Sequence, residues 1–147
     1  MHLALFVAAL LPFSLLFVSG AHAEPNKAQY ELQERCGKRA AEVFKNEYTT
    51  VQNTDEGQTL INYRNHYSAT FNKCFFLEMS SVFATRANPK YTAQMFRLFD
   101  LNENKEYGSF YQRSDSDTPM ECTVLGKLCH SQGEWEALIN RYMEDKD

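Results

Sequence analysis

Catalytic signatures are missing from this chain. It has no G-x-S-x-G, no H-E-x-x-H, no phosphate-binding loop and no dinucleotide fingerprint. It has no CxxC, and its only adjacent thiol and imidazole, Cys129-His130, have a spacing that tetrahedral metal sites rarely use. No N-x-[ST] sequon is present, which leans away from a glycosylated product. An excess of positive charge is lacking too. The formal net charge is −4, so there is no electrostatic reason to expect nucleic acid or an anionic membrane as partner. Beyond the first few residues no apolar run approaches membrane length.

One apolar run is present, from Leu3 to Val18, broken once by Pro12. It is shorter than the roughly 20 residues a membrane-spanning helix needs. Ser19-Gly20 and the small-x-small triplet Ala21-His22-Ala23 follow it. This is the pattern of a cleaved secretory signal peptide over residues 1–23. Its short leading segment, Met1-His2, has no Lys or Arg, so the free amino terminus must supply the positive charge. The expectation is a single domain from Glu24 to Asp147, in the periplasm or outside the cell, with no membrane insertion after cleavage. The signal carries no ionisable Asp, Glu, Lys or Arg, so the mature part keeps the acidic balance.

Export changes the meaning of the cysteines Cys36, Cys74, Cys122 and Cys129. An even count in an oxidising compartment points to disulfides. Cys122 and Cys129 are close in sequence, and Gly126 between them favours a tight loop. Cys36 would then reach Cys74. Loop entropy gives about 4 kcal/mol for the long link and about 2 for the short one.

Residues from Pro25 to about Tyr48 read as a helix. Leu32, Cys36, Ala40, Val43 and Phe44 recur at steps of three and four, and Pro25 suits a first turn. Thr49 to Thr59 is polar and reads as a loop. From Leu60 the period becomes two, with Ile61, Tyr63 and Tyr67 alternating with polar residues. In Phe71 to Phe83, Phe75, Leu77 and Met79 share one face while Cys74, Phe76 and Glu78 share the other. A helix over Asn62 to Phe76 competes, but the aromatic and β-favouring content opposes it. Tyr91 to Leu101 and Glu106 to Arg113 read as two more strands about a hairpin loop, with Gly108 marking a bulge or a close contact. Ser131-Gln132-Gly133-Glu134 has the form of a capping box, opening a helix from Gln132 to about Glu144. Its apolar side is Trp135, Leu138, Ile139 and Tyr142. The fold class expected is α+β: an N-terminal helix, a four-stranded antiparallel sheet, a C-terminal helix and two disulfides, with both helices on one face of the sheet.

Candidate functional residues are few. His66 is the weak candidate for a general base, and His130 sits beside a disulfide just before a helix cap. Asp100-Leu101-Asn102-Glu103-Asn104 resembles the start of a calcium loop. However, Lys105 stands where that loop needs Gly and Tyr111 where it needs Glu, so a hairpin turn explains the segment and no metal site is expected. Asp100, Glu103 and Glu106 cluster there as an exposed charged turn. No cofactor is implied. Tyr63, Tyr67, Tyr107 and Tyr111, with Phe110, would give an aromatic sheet face suited to an envelope protein, an extracellular protein or a glycan.

The stretch His66-Tyr67-Ser68-Ala69-Thr70-Phe71-Asn72-Lys73-Cys74-Phe75 resembles a segment of small exported bacterial proteins with no known activity. In those the form is close to H-Y-N, a short gap and L-N-K-C-F. Here Ser68 replaces the Asn and Phe71 the Leu. The resemblance covers these ten residues and implies a bacterial, periplasmic or secreted setting and a Cys36–Cys74 bridge. It implies no mechanism. Taken together, the sequence points to an exported binding or interaction module of the bacterial envelope or secreted fraction, and favours a non-enzymatic role. The alternatives are a small secreted hydrolase using His66 with a nearby carboxylate, and a structural or stress-related envelope protein.

Overall fold

Strand β3, Lys73–Ala84, decides the architecture because both of its faces are apolar. In a computed structural model, which describes residues 27–145, its odd-numbered side chains enter one core and its even-numbered ones another. Neither set can face water, so each face needs its own cover. Helix α1, Lys27–Glu47, covers the even face, where Cys36 and Ala40 pack with Tyr67, Cys74, Phe76 and Leu101. The second helix, α2, Gln132–Met143, covers the odd face, where Trp135, Ile139, Tyr142 and Met143 pack with Phe75, Leu77, Leu98 and Phe110. The expectation that both helices share one face is therefore corrected. Pro25 and the expected signal peptide lie outside the described residues.

The expected four-stranded sheet is also corrected. Among the described residues the sheet has seven strands in the order of the chain, each antiparallel to its neighbours. The four long strands are β2 (Gln58–Ser68), β3, β4 (Tyr91–Asp100) and β5 (Lys105–Arg113). The three missed strands are short: β1 (Val51–Asn53), β6 (Glu121–Val124) and β7 (Lys127–Leu128). Strand β1 is exposed at every residue, so it carries no alternation to recognise. The pair β6–β7 lies within the segment bracketed by Cys122 and Cys129.

Both disulfides are present, Cys36–Cys74 and Cys122–Cys129, and no cysteine is free. The first ties α1 to β3. The second ties β6 to the residue that leads into α2. The cap of α2 departs slightly from the expected box. Ser131 Oγ accepts from Glu134 N at 3.2 Å, but Glu134 Oε2 accepts from His130 N, at 2.8 Å, rather than from the cap residue itself.

Glycine acts at close approaches. A Cβ on Gly108 would stand 2.6 Å from Thr123 O, and the β4–β5 register shifts at Leu98/Phe99 beside it. Both the bulge and the tight contact read from Gly108 are thus observed. The shift places Tyr107 against Phe75 and Tyr142, on the α2 side of the sheet.

Candidate functional site

Helical spacing sets Arg39, Val43 and Glu47 in one line along α1, at i, i+4 and i+8. Just past the helix, Tyr48 N bonds back to Phe44 O at 3.1 Å, which holds the tyrosine at the sheet. Strand register supplies the opposite wall. Phe76 pairs with Phe99 and Glu78 with Arg97, all on the α1 face. The tight β4–β5 connection adds Leu101 and Asn104. Together these residues, Phe44 and Glu78 apart, line a cleft of about 520 Å³, within the roughly 300–1,000 Å³ typical of small-molecule sites.

Beneath the cleft lies Glu78, whose side chain is 7% exposed. A buried carboxylate must find partners. It takes the Tyr48 hydroxyl at 3.2 Å and the Ser80 hydroxyl at 3.2 Å, and it faces Arg97 Nη1 at 3.5 Å. Burial first, and the Glu78 charge second, push the Tyr48 phenol up to about 12. The phenol is therefore a fixed neutral group at neutral pH and not a base. Arg97 also donates from Nε to Glu106 at 3.3 Å, and its guanidinium lies over the Phe99 ring, 4.7 Å from the centroid. The guanidinium is thus held from three sides. Arg39 makes no salt bridge among the described residues, although it lines the same cleft.

The sequence-predicted residues are not gathered in one place. Tyr63 packs under α1 between Phe44 and Phe76, with ring centroids at 4.7 and 5.1 Å. Tyr67 is buried, and its hydroxyl donates to Asn72 Oδ1 at 2.7 Å. Tyr111 is half-buried farther along the α1 face, paired with Met95 and Glu121. Tyr107 is on the opposite face, and Phe110 is fully buried. No single exposed face collects them.

His66 lies on the α2 face, on the other side of the sheet from Glu78. In register it is followed by Phe75 and then Asp100, so an aromatic ring stands between the imidazole and that carboxylate. Its Nε2 approaches Asp145 Oδ1 at 3.3 Å, close enough for charge attraction but off line for a hydrogen bond. His130 is exposed ahead of α2.

The three carboxylates of the hairpin are divided by the sheet. Asp100 is fully buried on the α2 side and accepts from Lys73 Nζ at 2.5 Å and from Asn102 N at 2.8 Å. The bond to Asp100 first, and that to Glu103 second, hold the Lys73 ammonium well above its usual range. Asn102 Oδ1 in turn accepts from Cys74 N at 3.0 Å. The calcium-loop-like oxygens thus close the turn and tie it to β3. Glu106 belongs to the α1 side, with Arg97.

A second cleft, of about 340 Å³, opens between α2 and the sheet over Leu77, Met79 and Phe96. Its floor is the main apolar core, and Trp135 Nε1 there has no hydrogen-bond partner among the described residues. Of its polar lining, Glu136 accepts from Gln132 Nε2 at 2.8 Å at the exposed rim. Sequence reasoning missed the α1 cleft, because Tyr48 and Glu78 meet across 30 positions. The one available signal was a Glu in the most apolar strand.

No protein-family model matches the chain, and no curated protein or solved structure matches it either.

Proposed function

We propose that this chain is an exported, disulfide-stabilised binding module of a bacterial envelope or secreted fraction, and that it takes its ligand in the cleft between α1 and the sheet. One observation carries the proposal. The buried Glu78 carboxylate fixes both the Tyr48 hydroxyl and the Arg97 guanidinium at the wall of an open cleft. A buried charge is weak support for stability, since apolar replacements often serve as well. Its effect here is to pre-organise two polar groups, which lowers the ordering cost of binding. Export is supported by the leader-like residues 1–23, and the two disulfides are compatible with an oxidising compartment.

A hydrolase would depend on His66. Among the described residues the acid it approaches is Asp145, at 3.3 Å, and none of them gives its Nε2 a hydrogen bond, so a binding role is the better supported. The test is an amide NMR titration of the mature protein with fractionated bacterial envelope extract. Saturable shifts in residues 39–48 and 97–104 are expected. Shifts confined to the α2 side, or turnover that Glu78→Gln leaves intact and His66→Ala abolishes, would overturn the proposal.

A further inference from the structure

We infer that the ligand of the α1 cleft is a neutral saccharide, an inference that rests on that cleft being the binding site. The character of the walls excludes the other common classes in turn. A peptide added as an extra strand needs unpaired backbone groups. Here the sheet wall is formed by β3 and β4, each hydrogen-bonded to a strand on both sides, so recognition falls to side chains alone. A lipid chain needs a continuous apolar lining, yet Arg39, Glu47, Tyr48, Arg97 and Asn104 interrupt it. A phosphate or carboxylate needs uncompensated positive charge. Arg97 already faces Glu78 and Glu106, which leaves Arg39 alone as a cation without a salt bridge among the described residues of this wall, with Glu47 two turns along the same helix.

What remains suits a ring of hydroxyl groups. Hydroxyls both donate and accept, and this wall offers donors only (Arg39, Arg97), acceptors only (Glu47 and the Tyr48 oxygen) and one group that can do both (Asn104). The Tyr48 proton is already directed to Glu78, which leaves its lone pairs toward a ligand hydroxyl. Half-buried Val43 and Phe99 give the apolar wall on which the C–H face of a pyranose can pack, above the buried Phe76 and Leu101. Charge-neutral recognition of this kind also fits a chain whose net charge is −4, which repels anions at long range.

The test uses the mature protein, isotope-labelled and titrated separately with maltotriose, cellotriose, chitotriose, decanoate and inorganic phosphate. At least one trisaccharide should shift amides in residues 39–48 and 97–104 saturably. Two exposed variants then apply, Arg39→Ala and Asn104→Gly, the second because Asn104 has φ 51° and glycine keeps that conformation. Each should weaken the binding about tenfold while leaving the fold unchanged, as expected for loss of one hydrogen-bonded polar group. If decanoate or phosphate shifts these amides and no trisaccharide does, the ligand class is wrong while the cleft stands. If a trisaccharide shifts only residues on the α2 side, the cleft itself is wrong. If no trisaccharide shifts any amide, the saccharide inference is overturned.

Discussion

Individual residues carry measurable consequences. Leu125 and Gly126 form the two-residue turn between β6 and β7, with φ of 47° and 78°. Positive φ at both positions is the primed turn that suits a hairpin, and Asn is favoured at the first position where this chain has Leu. Leu125 is also 54% exposed, so little packing is lost by replacing it. Leu125→Asn should raise stability by about 1 kcal/mol, read from the shift in urea midpoint at constant m-value. A fall in midpoint would mean that the leucine contributes more than the strain removes. Tyr48 provides a pH signature. Its folded-state value of about 12 lies above the ordinary 10.0, so the fold favours the protonated phenol. That contribution is complete below pH 10 and is lost as pH rises toward 12. Against Tyr48→Phe, which does not ionise, wild-type stability should drop by on the order of 1 kcal/mol across that window, after allowance for solvent screening. Identical pH slopes for the two proteins would show that Glu78 does not hold the phenol.

At the scale of elements, legibility followed length and periodicity. The α1 stripe was readable, and Cys36 and Ala40 on it are buried. The alternation of β3 was readable as well, and with it the two-sided burial that requires cover on both faces, although one-sided packing was expected. Strands β1 and β7 are too short to show a period of two, β6 shows it over only four residues, and pairing with neighbours creates them. The site was almost illegible. Tyr48, Glu78, Arg97 and Asn104 lie on four separate segments, and only strand register and the α1 crossing bring them together. The Tyr side chains that looked like a binding face were dispersed by the same register, since Tyr63, Tyr67 and Tyr111 sit on one face and Tyr107 on the other. Two glycines separate element-level effects. Gly108→Ala pushes a Cβ against the backbone of β6 and should cost about 1–3 kcal/mol. Gly133→Ala, in the first turn of α2 with nothing within 4 Å of its Cβ, should gain up to about 0.5–1 kcal/mol. Thermal melts of the two variants should therefore move in opposite directions. Movement in the same direction would contradict the packing assigned to β5–β6.

Among the described residues a sheet is held between two helices, and each half carries its own disulfide. The Cys36–Cys74 link closes a span of 38 positions and the Cys122–Cys129 link one of 7. If the bridges act mainly on the unfolded chain, removing the first by double alanine substitution should lower stability by about 4 kcal/mol and removing the second by about 2. Guanidinium unfolding of the two variants would give the ratio, and a larger loss from the short bridge would refute that account. The long bridge also fixes α1 against β3, so it sets one wall of the proposed cleft relative to the other. The central claim is that this cleft is where the protein binds. Hydrogen–deuterium exchange of the mature chain, with and without the neutral saccharide fraction of bacterial envelope, tests it most directly. New protection is expected in residues 39–48 and 97–104 and none in residues 132–143. Protection confined to residues 132–143, or no change at any saccharide concentration, would contradict it.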